Sequence, residues 1–406
     1  MMNNIQRCYI AVLIALMLFP LSALAQKKEI ASARANIKKG QNLEQAEKSM
    51  RDLLKDSTNL TNDKIWLTLF DAVKKQYDVL NEKLYLKQQS DTAKFFGNTI
   101  HMFQVLESLD TIDNMPNKEG KTEHIYRKRH ASFLDQYRSN LYFGGLYFIK
   151  KQDYAKAYDF FDCYVDCAQQ PLFTDFFYSK TDERLAEAAY WTMFCGYKMQ
   201  DAEKIDRYVK IAVKDESREV YMLQYRAESC ILKNDTACYR RTLEKGFAKY
   251  PDHAYFFPHL AIYYGKQGEN EKVLETSDKV LFLDNTNVAA WVARSSAFYN
   301  MNRHDECVAA SDRVIELGAE VPIVYANAGL SYYVQSIPYV EKVRPTREDK
   351  EKMRVIYKRA LPYLEKYREM RPDDVDVWGK PLYNIYLNLN MGDKFEEIDI
   401  LLNKDQ

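Results

Sequence analysis

Residues 251–284 read PDHAYFFPHLAIYYGKQGENEKVLETSDKVLFLD, and residues 285–318 read NTNVAAWVARSSAFYNMNRHDECVAASDRVIELG. Both stretches are 34 residues long, and each has a polar turn near its middle, at 267–270 and at 300–303. Polar turns at 199–201 and 233–235 continue the same spacing toward the N-terminus. A fixed period of this length, with helical periodicity on both sides of each turn, indicates a repeat built from two helices. The sequence therefore predicts consecutive helix–turn–helix units.

The first helix of the repeat has its own internal pattern of small and large residues. Small residues stand at Gly145, Ala261 and Gly329. Aromatic residues follow these or equivalent positions about one turn later, at Phe148, Tyr264, Phe298 and Tyr332. A small residue lets two antiparallel helices approach closely, and the aromatic side chain fills the space beside it. Each hairpin leaves an apolar face that its neighbour covers, so stability comes from stacking.

This pattern resembles the tetratricopeptide repeat, a 34-residue helix–turn–helix unit. The first half of the family pattern is matched by Phe257, Leu260, Ala261 and Tyr264, and again by Tyr325, Ala328, Gly329 and Tyr332. The second half is matched by Ala157 and Phe161 in one unit, and by Ala360, Leu364 and Pro372 in another. The resemblance covers most of the chain. It implies an all-α fold, a superhelical α-solenoid of about eight or nine hairpins.

The period divides the chain into four parts. We expect a cleaved signal peptide at 1–25, degenerate helical hairpins at 26–136, repeats at 137–373 and a terminal hairpin or cap at 374–406. Two insertions interrupt the repeats, an aromatic one at 169–184 and a charged one at 336–353. Insertions of this kind are loops on one face of a solenoid and often bind partners. The alternative is that they are solvated loops or short helices that pack on the stack.

The N-terminal residues have the pattern of an export signal. Arg7 precedes an apolar run from Tyr9 to Phe19, and the triplet Ala23-Leu24-Ala25 follows it. A positive start, a short apolar core and an A-x-A site predict a secretory signal peptide, here cleaved after Ala25. The apolar run is shorter than the roughly 20 residues of a bilayer span. We expect a periplasmic or secreted protein with no membrane span after cleavage.

The Ala-Leu-Ala-Gln junction and the composition rich in Tyr and Lys resemble exported envelope proteins of Bacteroides-type bacteria.

Composition and motifs argue against nucleic-acid binding and catalysis. The chain has 58 basic and 58 acidic residues, whereas nucleic-acid binding usually requires a basic surface. The six histidines lack metal-ligand spacing, and the sequence contains no phosphate loop, dinucleotide fingerprint or nucleophile elbow. We therefore expect neither enzyme activity, nor a cofactor, nor a metal.

Two cysteine pairs lie close together in the sequence. Cys230 and Cys238 flank the turn at 232–236, so they could form a disulfide across one hairpin, and the pattern leaves the paired and the free state equally open. Cys163 and Cys167 lie one helical turn apart, a spacing that fits buried free thiols.

The resemblance implies that the first helices line a groove for a partner's peptide or helix. Carried over to this chain, the groove positions are Tyr255, Ile262, Val292, Tyr299, Ile323, Leu330 and Tyr333. For each of them, packing against a neighbouring hairpin is the equally open alternative. We therefore expect a non-catalytic scaffold of the cell envelope that binds another envelope protein. The alternative is a glycan-binding or polysaccharide-processing helical protein of an envelope uptake system.

Overall fold

The computed structural model describes residues 25–115, 120, 122 and 124–402. The predicted signal peptide lies outside the described residues except for Ala25. Within the described part, every regular element is a helix and no strand is present. The predicted all-α class of consecutive helical hairpins, the organisation of an α-solenoid, is confirmed.

The helices have the following bounds: α1 25–39, α2 Leu43–Leu53, α3 Asp63–Tyr85, α4 Thr92–Asp113, α5 Arg127–Lys150, α6 Tyr154–Asp166, α7 Tyr178–Thr181, α8 Leu185–Lys198, α9 Ala202–Asp206, α10 Val209–Ala212, α11 Glu219–Leu232, α12 Thr236–Lys249, α13 Phe256–Lys266, α14 Asn270–Leu283, α15 Val288–Asn300, α16 His304–Glu316, α17 Pro322–Val340, α18 Arg347–Met370, α19 Val375–Leu389 and α20 Gly392–Leu402. Short 3₁₀ helices lie at Ser57–Asn59, Pro171–Phe176 and Glu216–Arg218.

In the described residues these helices form nine consecutive pairs, with α9 and α10 together serving as the second member of the fourth pair and α7 standing in an insertion. The chain divides into two compact units, residues 1–225 and 226–406, and the boundary falls within α11. Inside each unit, helices pack mainly on those that precede and follow them in the chain. The four-part division made from the sequence remains a prediction.

A left-handed residue in the hairpin turn repeats with the predicted period. Gln200, Asn234 and Asn302 have φ of 55°, 56° and 56°, and Gly268 has φ of 73°. They stand 34 residues apart, and each ends the first helix of its pair, which is where a left-handed residue satisfies the last carbonyl groups. Gln152, with φ of 59°, precedes Gln200 by more than one period, because the aromatic insertion lies between them. The turn geometry thus shows the register of the repeat directly.

The residue after the turn starts the second helix in several pairs. The side chains of Asp153, Asp201 and Asp235 accept hydrogen bonds from the backbone N–H of residues three places on, at 3.1, 3.1 and 2.8 Å. An aspartate at this position accepts a hydrogen bond from an N–H group that has no partner within the helix. Its negative charge is also stabilised by the positive end of the helix dipole. Turn and cap together fix where each second helix begins.

The small residues of the first helices lie where the helices of a pair approach most closely. A Cβ on Gly145 would lie 2.6 Å from the ring of Phe161, and one on Gly329 would lie 2.6 Å from Leu364. Gly196 is close to backbone, 2.6 Å from the nitrogen of Ile205. The expected role of the small residues is therefore confirmed at Gly145 and Gly329.

The aromatic insertion packs back onto the N-terminal unit. Leu172, Phe173 and Tyr178 are buried, at 3%, 2% and 7% exposure. Arg138 of α5 holds it, with its guanidinium 3.8 Å from the ring centre of Tyr164 and 3.9 Å from that of Tyr178. The same group lies 2.7 Å from Asp182, in an ion pair whose side chains are 7% and 11% exposed. The insertion is thus built into the packing of its unit.

The charged insertion mostly lengthens two helices. It extends α17 to Val340, and α18 begins at Arg347, where Thr346 and Asp349 form a capping box. A cap of this kind satisfies two backbone N–H groups at once, so the helix can start in the middle of a charged stretch.

Among the described residues, no helix is both long enough and apolar enough to cross a membrane.

Candidate partner-binding groove

First helices of consecutive pairs line an apolar cleft of 590 Å³ in the C-terminal unit. Its walls come from α13 and α15, and Val321, just before α17, closes one side. The wall residues include Phe257, Pro258, Ala261, Ile262, Gly265, Val288, Ala289, Val292, Ala293 and Ala297. Many of them are small, so the two helices leave a channel between them instead of filling it. Ile262 is 58% exposed, so much of its apolar side chain faces the open channel.

Polar groups lie at one end of the cleft. Lys266, Asn270, Ser296 and Asn300 are the polar lining residues, and the amide of Asn300 donates to that of Asn270 at 3.3 Å. Among the described residues that line the cleft, none is acidic. An apolar channel with a polar rim and a single cation is the usual anatomy of a surface that receives an apolar side chain or helix face.

The predicted groove residues separate into two groups in the structure. Ile262 and Val292 line the cleft. Ile323, 44% exposed, lies on α17 two residues after Val321 and does not line the cleft. Of the predicted groove residues, the structure brings Ile262 and Val292 together in this cleft.

Tyr255 and Tyr299 make contacts with neighbouring residues of the chain instead of lining the cleft. The Tyr255 hydroxyl donates to Glu228 at 2.8 Å, and its ring stacks on His259 with the centres 4.1 Å apart. Tyr299 packs against a small core that includes Phe298 and Cys307.

Leu330 and Tyr333 pack against the core formed by α17 to α20. The Tyr333 hydroxyl accepts a hydrogen bond from Asn384 at 2.6 Å, and its ring stacks on Tyr357 at 6.1 Å and 11°. Tyr357 lies on α18 beyond the charged insertion, and its ring packs against this part of α17.

The small residues of the channel are not among the predicted groove positions. Ala261, Ala293, Ala297 and Gly265 line it but bear no feature that marks a contact surface. The sequence does show that Ala and Gly recur on the first helices. That recurrence predicts close helix packing, and it does not by itself indicate a channel.

A larger cleft of 850 Å³ lies among second helices, between α12 and α14. Phe282 and Leu283 line it and are 90% and 57% exposed. Lys272, Glu275, Asp278 and Lys279 also line it, so charges of both signs surround this apolar patch. The lining of this cleft is more polar than that of the first-helix channel, and the cleft was not predicted.

The first helices of the N-terminal unit line a cleft of 600 Å³ with a different chemistry. Four cationic side chains, Arg34, Lys38, Lys74 and Arg129, face one carboxylate, Asp71. Burial raises the pKa of Asp71 although three of these cations act to lower it.

His130 forms part of the floor of this cleft and is 4% exposed. Burial, with a smaller contribution from the charge of Arg129, lowers its pKa to about 4. Its ring stacks on Tyr126, with the centres 5.4 Å apart and the planes 8° from parallel. The imidazole is therefore neutral near pH 7 and acts as a packing group.

The two cysteine pairs that are close in sequence differ in state: one forms a disulfide and the other is free. Cys230 and Cys238 are joined by a disulfide across the turn of their hairpin, with the Cα atoms 5.7 Å apart. Cys163 and Cys167 are free and lie against Glu107 of α4. Burial, with the charge of Asp166 next in importance, raises the pKa of Glu107 to about 8. Sequence reasoning did not connect Glu107 with the two thiols.

No family model matches the chain, and no curated protein is similar to it. The chain is similar to the solved structure of the P58(IPK) TPR domain, with 14% identity over 94% of this chain and 99% of that one, at a TM-score of 0.27. It is also similar to the APC/C hetero-tetramer Cut9-Hcn1, with 12% identity over 96% of this chain and 90% of that one, again at 0.27. Both likenesses are too weak to assign the chain to a family or a function.

Proposed function

We propose that this chain is a non-catalytic scaffold that binds a protein partner in the first-helix channel of its C-terminal unit. The observation that carries the proposal is the uncovered apolar channel between α13 and α15, in which Ile262 is exposed. An amphipathic helix or an apolar peptide buries such a channel by placing side chains between the two helices. The 34-residue repeat pattern supports the same function, because stacked hairpins present their first helices side by side.

The lining of the channel favours a protein ligand over a glycan. Hydrolysis of a glycosidic bond requires a pair of carboxyl groups on either side of the bond. The described lining residues include no Asp or Glu, and aliphatic side chains predominate over aromatic ones. These features support a partner that contributes aliphatic or aromatic side chains.

We propose further that the protein acts in the cell envelope, as the pattern of residues 1–25 predicts. The disulfide between Cys230 and Cys238 is consistent with this location, since disulfides persist in oxidising compartments. N-terminal sequencing of protein from the envelope fraction should begin at Gln26. An uncleaved N-terminus in a cytoplasmic fraction would contradict this location.

Site-specific photocrosslinking in cells tests the scaffold function. A photoreactive amino acid replaces Ile262 in one strain and Phe282, on a second helix, in a matched control strain. We expect one envelope protein to be crosslinked through position 262 and not through position 282, and mass spectrometry identifies it. Equal crosslinking from both positions would place the binding surface elsewhere. Failure to crosslink any protein, together with retention of the purified chain on polysaccharide, would replace the proposal with glycan binding.

A further inference from the structure

Three side chains that can bind a metal ion meet inside the N-terminal unit. Glu107 comes from α4, Cys163 from α6, and Cys167 is the residue that ends α6. One ligand atom from each lies within 4.8 Å of the other two, and the Cys167 sulfur is 3.9 Å from Glu107 Oε1. A spacing of four residues places both thiols on the same face of the helix, directed at α4.

The surroundings of this cluster leave a carboxyl group without a cation. The hydrogen bond that the structure gives to the carboxyl group of Glu107 comes from the Cys167 thiol, a weak donor. The charges that act on Glu107 are those of the Asp166 and Asp162 carboxylates, which have the same sign. Burying a carboxyl group in such a place is unfavourable unless it is protonated or a cation is bound. Arg207 already lies 2.9 Å from Asp162 and 3.8 Å from Asp166, so a divalent cation would balance Glu107 and the two thiols.

We propose that Glu107, Cys163 and Cys167 form a binding site for a thiophilic divalent cation of the zinc class, with a water molecule in the fourth position. Two sulfur ligands and one carboxylate oxygen suit zinc, whereas magnesium and calcium prefer oxygen alone. Tetrahedral bonds of about 2.3 Å to sulfur and about 2.0–2.2 Å to oxygen separate ligand atoms by roughly 3.5–4 Å. The observed separations approach these values, so small rotations of the three side chains complete the site.

The site can be tested on the intact protein, because an ion can reach it and two other free thiols serve as controls. Cys163 is partly exposed, which gives an ion a route to the buried Cys167. Cys195 and Cys307 are also free, buried thiols, but they do not belong to the cluster with Glu107. They are therefore matched controls for Cys163 and Cys167.

The experiment titrates the full mature chain, reduced and freed of metal by a chelator, with Co²⁺ as a spectroscopic probe. Thiolate ligation produces a sulfur-to-cobalt charge-transfer band, and we expect it to saturate at one ion per chain and to vanish when Zn²⁺ is added. Cys163→Ser and Cys167→Ser should each abolish the band. Glu107→Gln should weaken binding by at least about tenfold, the lower end of the loss seen when a supporting side chain of a metal site is removed. Cys307→Ser should bind as the unchanged protein does.

A second measurement needs no variant. Zn²⁺ should protect the peptides of Cys163 and Cys167 from alkylation, while those of Cys195 and Cys307 react to the same extent with and without the ion. Absence of the cobalt band in the folded protein would overturn the proposal. So would equal protection of all four thiols, or isolation of Cys163 and Cys167 as a disulfide.

Discussion

The ring of Phe161 occupies the place where a side chain on Gly145 would have to lie. Three ring carbons of Phe161 are 2.6–2.7 Å from the position of a Cβ on Gly145, and Phe161 itself is fully buried. The helices α5 and α6 therefore touch through a glycine, and their separation depends on it. Gly97 of α4 offers a comparison, because no atom lies within 4 Å of its Cβ position.

Gly145→Ala should lower the free energy of unfolding by about 1–3 kcal/mol, the usual effect of adding an atom to a filled core. Gly97→Ala should raise it by roughly 0.5–1 kcal/mol, because alanine is the better helix former. Urea unfolding of the two variants measures both. Equal stability of the two variants would show that α5 and α6 do not pack as described.

Loss of the charge on Arg138 should destabilise the N-terminal unit. Arg138→Met leaves Asp182 buried without its cation and removes the contacts with Tyr164 and Tyr178, so we expect a loss of about 3–5 kcal/mol. In the exposed pair of Lys55 and Asp52, Lys55→Met should change stability by less than about 1 kcal/mol.

A double-mutant cycle separates the ion pair from the packing of Arg138. If the Arg138→Met loss is the same in the presence and absence of the Asp182→Asn change, the ion pair contributes nothing. A smaller loss in the Asp182→Asn background supports the described interaction.

The buried His130 should make the protein less stable in mild acid. Folded His130 stays neutral down to about pH 4, whereas a histidine in the unfolded chain takes up a proton near pH 6.5. The unfolded state binds more protons in this window, so the free energy of unfolding falls as the pH is lowered from 7 toward 4, by roughly 1–2 kcal/mol between pH 7 and pH 5. His130→Phe, which keeps the stacked ring, should reduce this slope. The exposed His124→Phe is the control, and an unchanged slope in His130→Phe would contradict the assignment.

The disulfide in the first hairpin of the C-terminal unit should be detectable by mass spectrometry, and its removal should lower the stability of the protein. A peptide that links Cys230 to Cys238 should appear in a non-reducing digest. Its loop spans eight residues, so the Cys230→Ser/Cys238→Ser variant should lose about 2 kcal/mol of stability. Detection of six reactive thiols in the unfolded mature chain would exclude the disulfide.

The two groups of predicted groove residues should respond differently to substitution. Ile262→Ser changes an exposed side chain, so we expect loss of partner binding with a change in stability below about 1 kcal/mol. Tyr333→Phe removes the acceptor of the Asn384 amide and should cost about 1 kcal/mol while binding remains. A pull-down with the partner identified by crosslinking, together with thermal unfolding, measures both. Loss of binding in Tyr333→Phe alone would move the binding surface to α17.

The sequence predicted those features that depend on local spacing. The turns around Asn234 and Asn302 followed from the period, because a left-handed residue and a helix cap are properties of a few consecutive residues. Gly145 and Gly329 were identified as contact positions for the same reason. Ile262 and Val292 were placed in the channel because the family pattern assigns a face to each first helix.

Features that depend on the path of the chain were not predictable in this way. Glu107 meets Cys167 across 60 residues, and the early repeats are too degenerate to fix which faces of α4 and α6 oppose each other. Tyr333 is half-buried against Tyr357 of α18, a contact that depends on how α17 and α18 approach each other. The spacing of the repeats predicts which face of a first helix lines the groove. It does not predict which side chains of a neighbouring irregular helix pack on that face.

The order of contacts along the chain has a mechanical consequence. In the C-terminal unit the main contacts from α13 onward join helices one or two places apart in the described sequence, such as α13 with α15 and α17 with α18. Tension applied to the two ends of such a stack is borne by one interface at a time, so a hairpin can peel away while the rest stays folded. Each 34-residue hairpin would release roughly 110–120 Å of contour length. The protein would then behave as an extensible tether between two attachment points, lengthening in steps under load and shortening again as the hairpins re-stack.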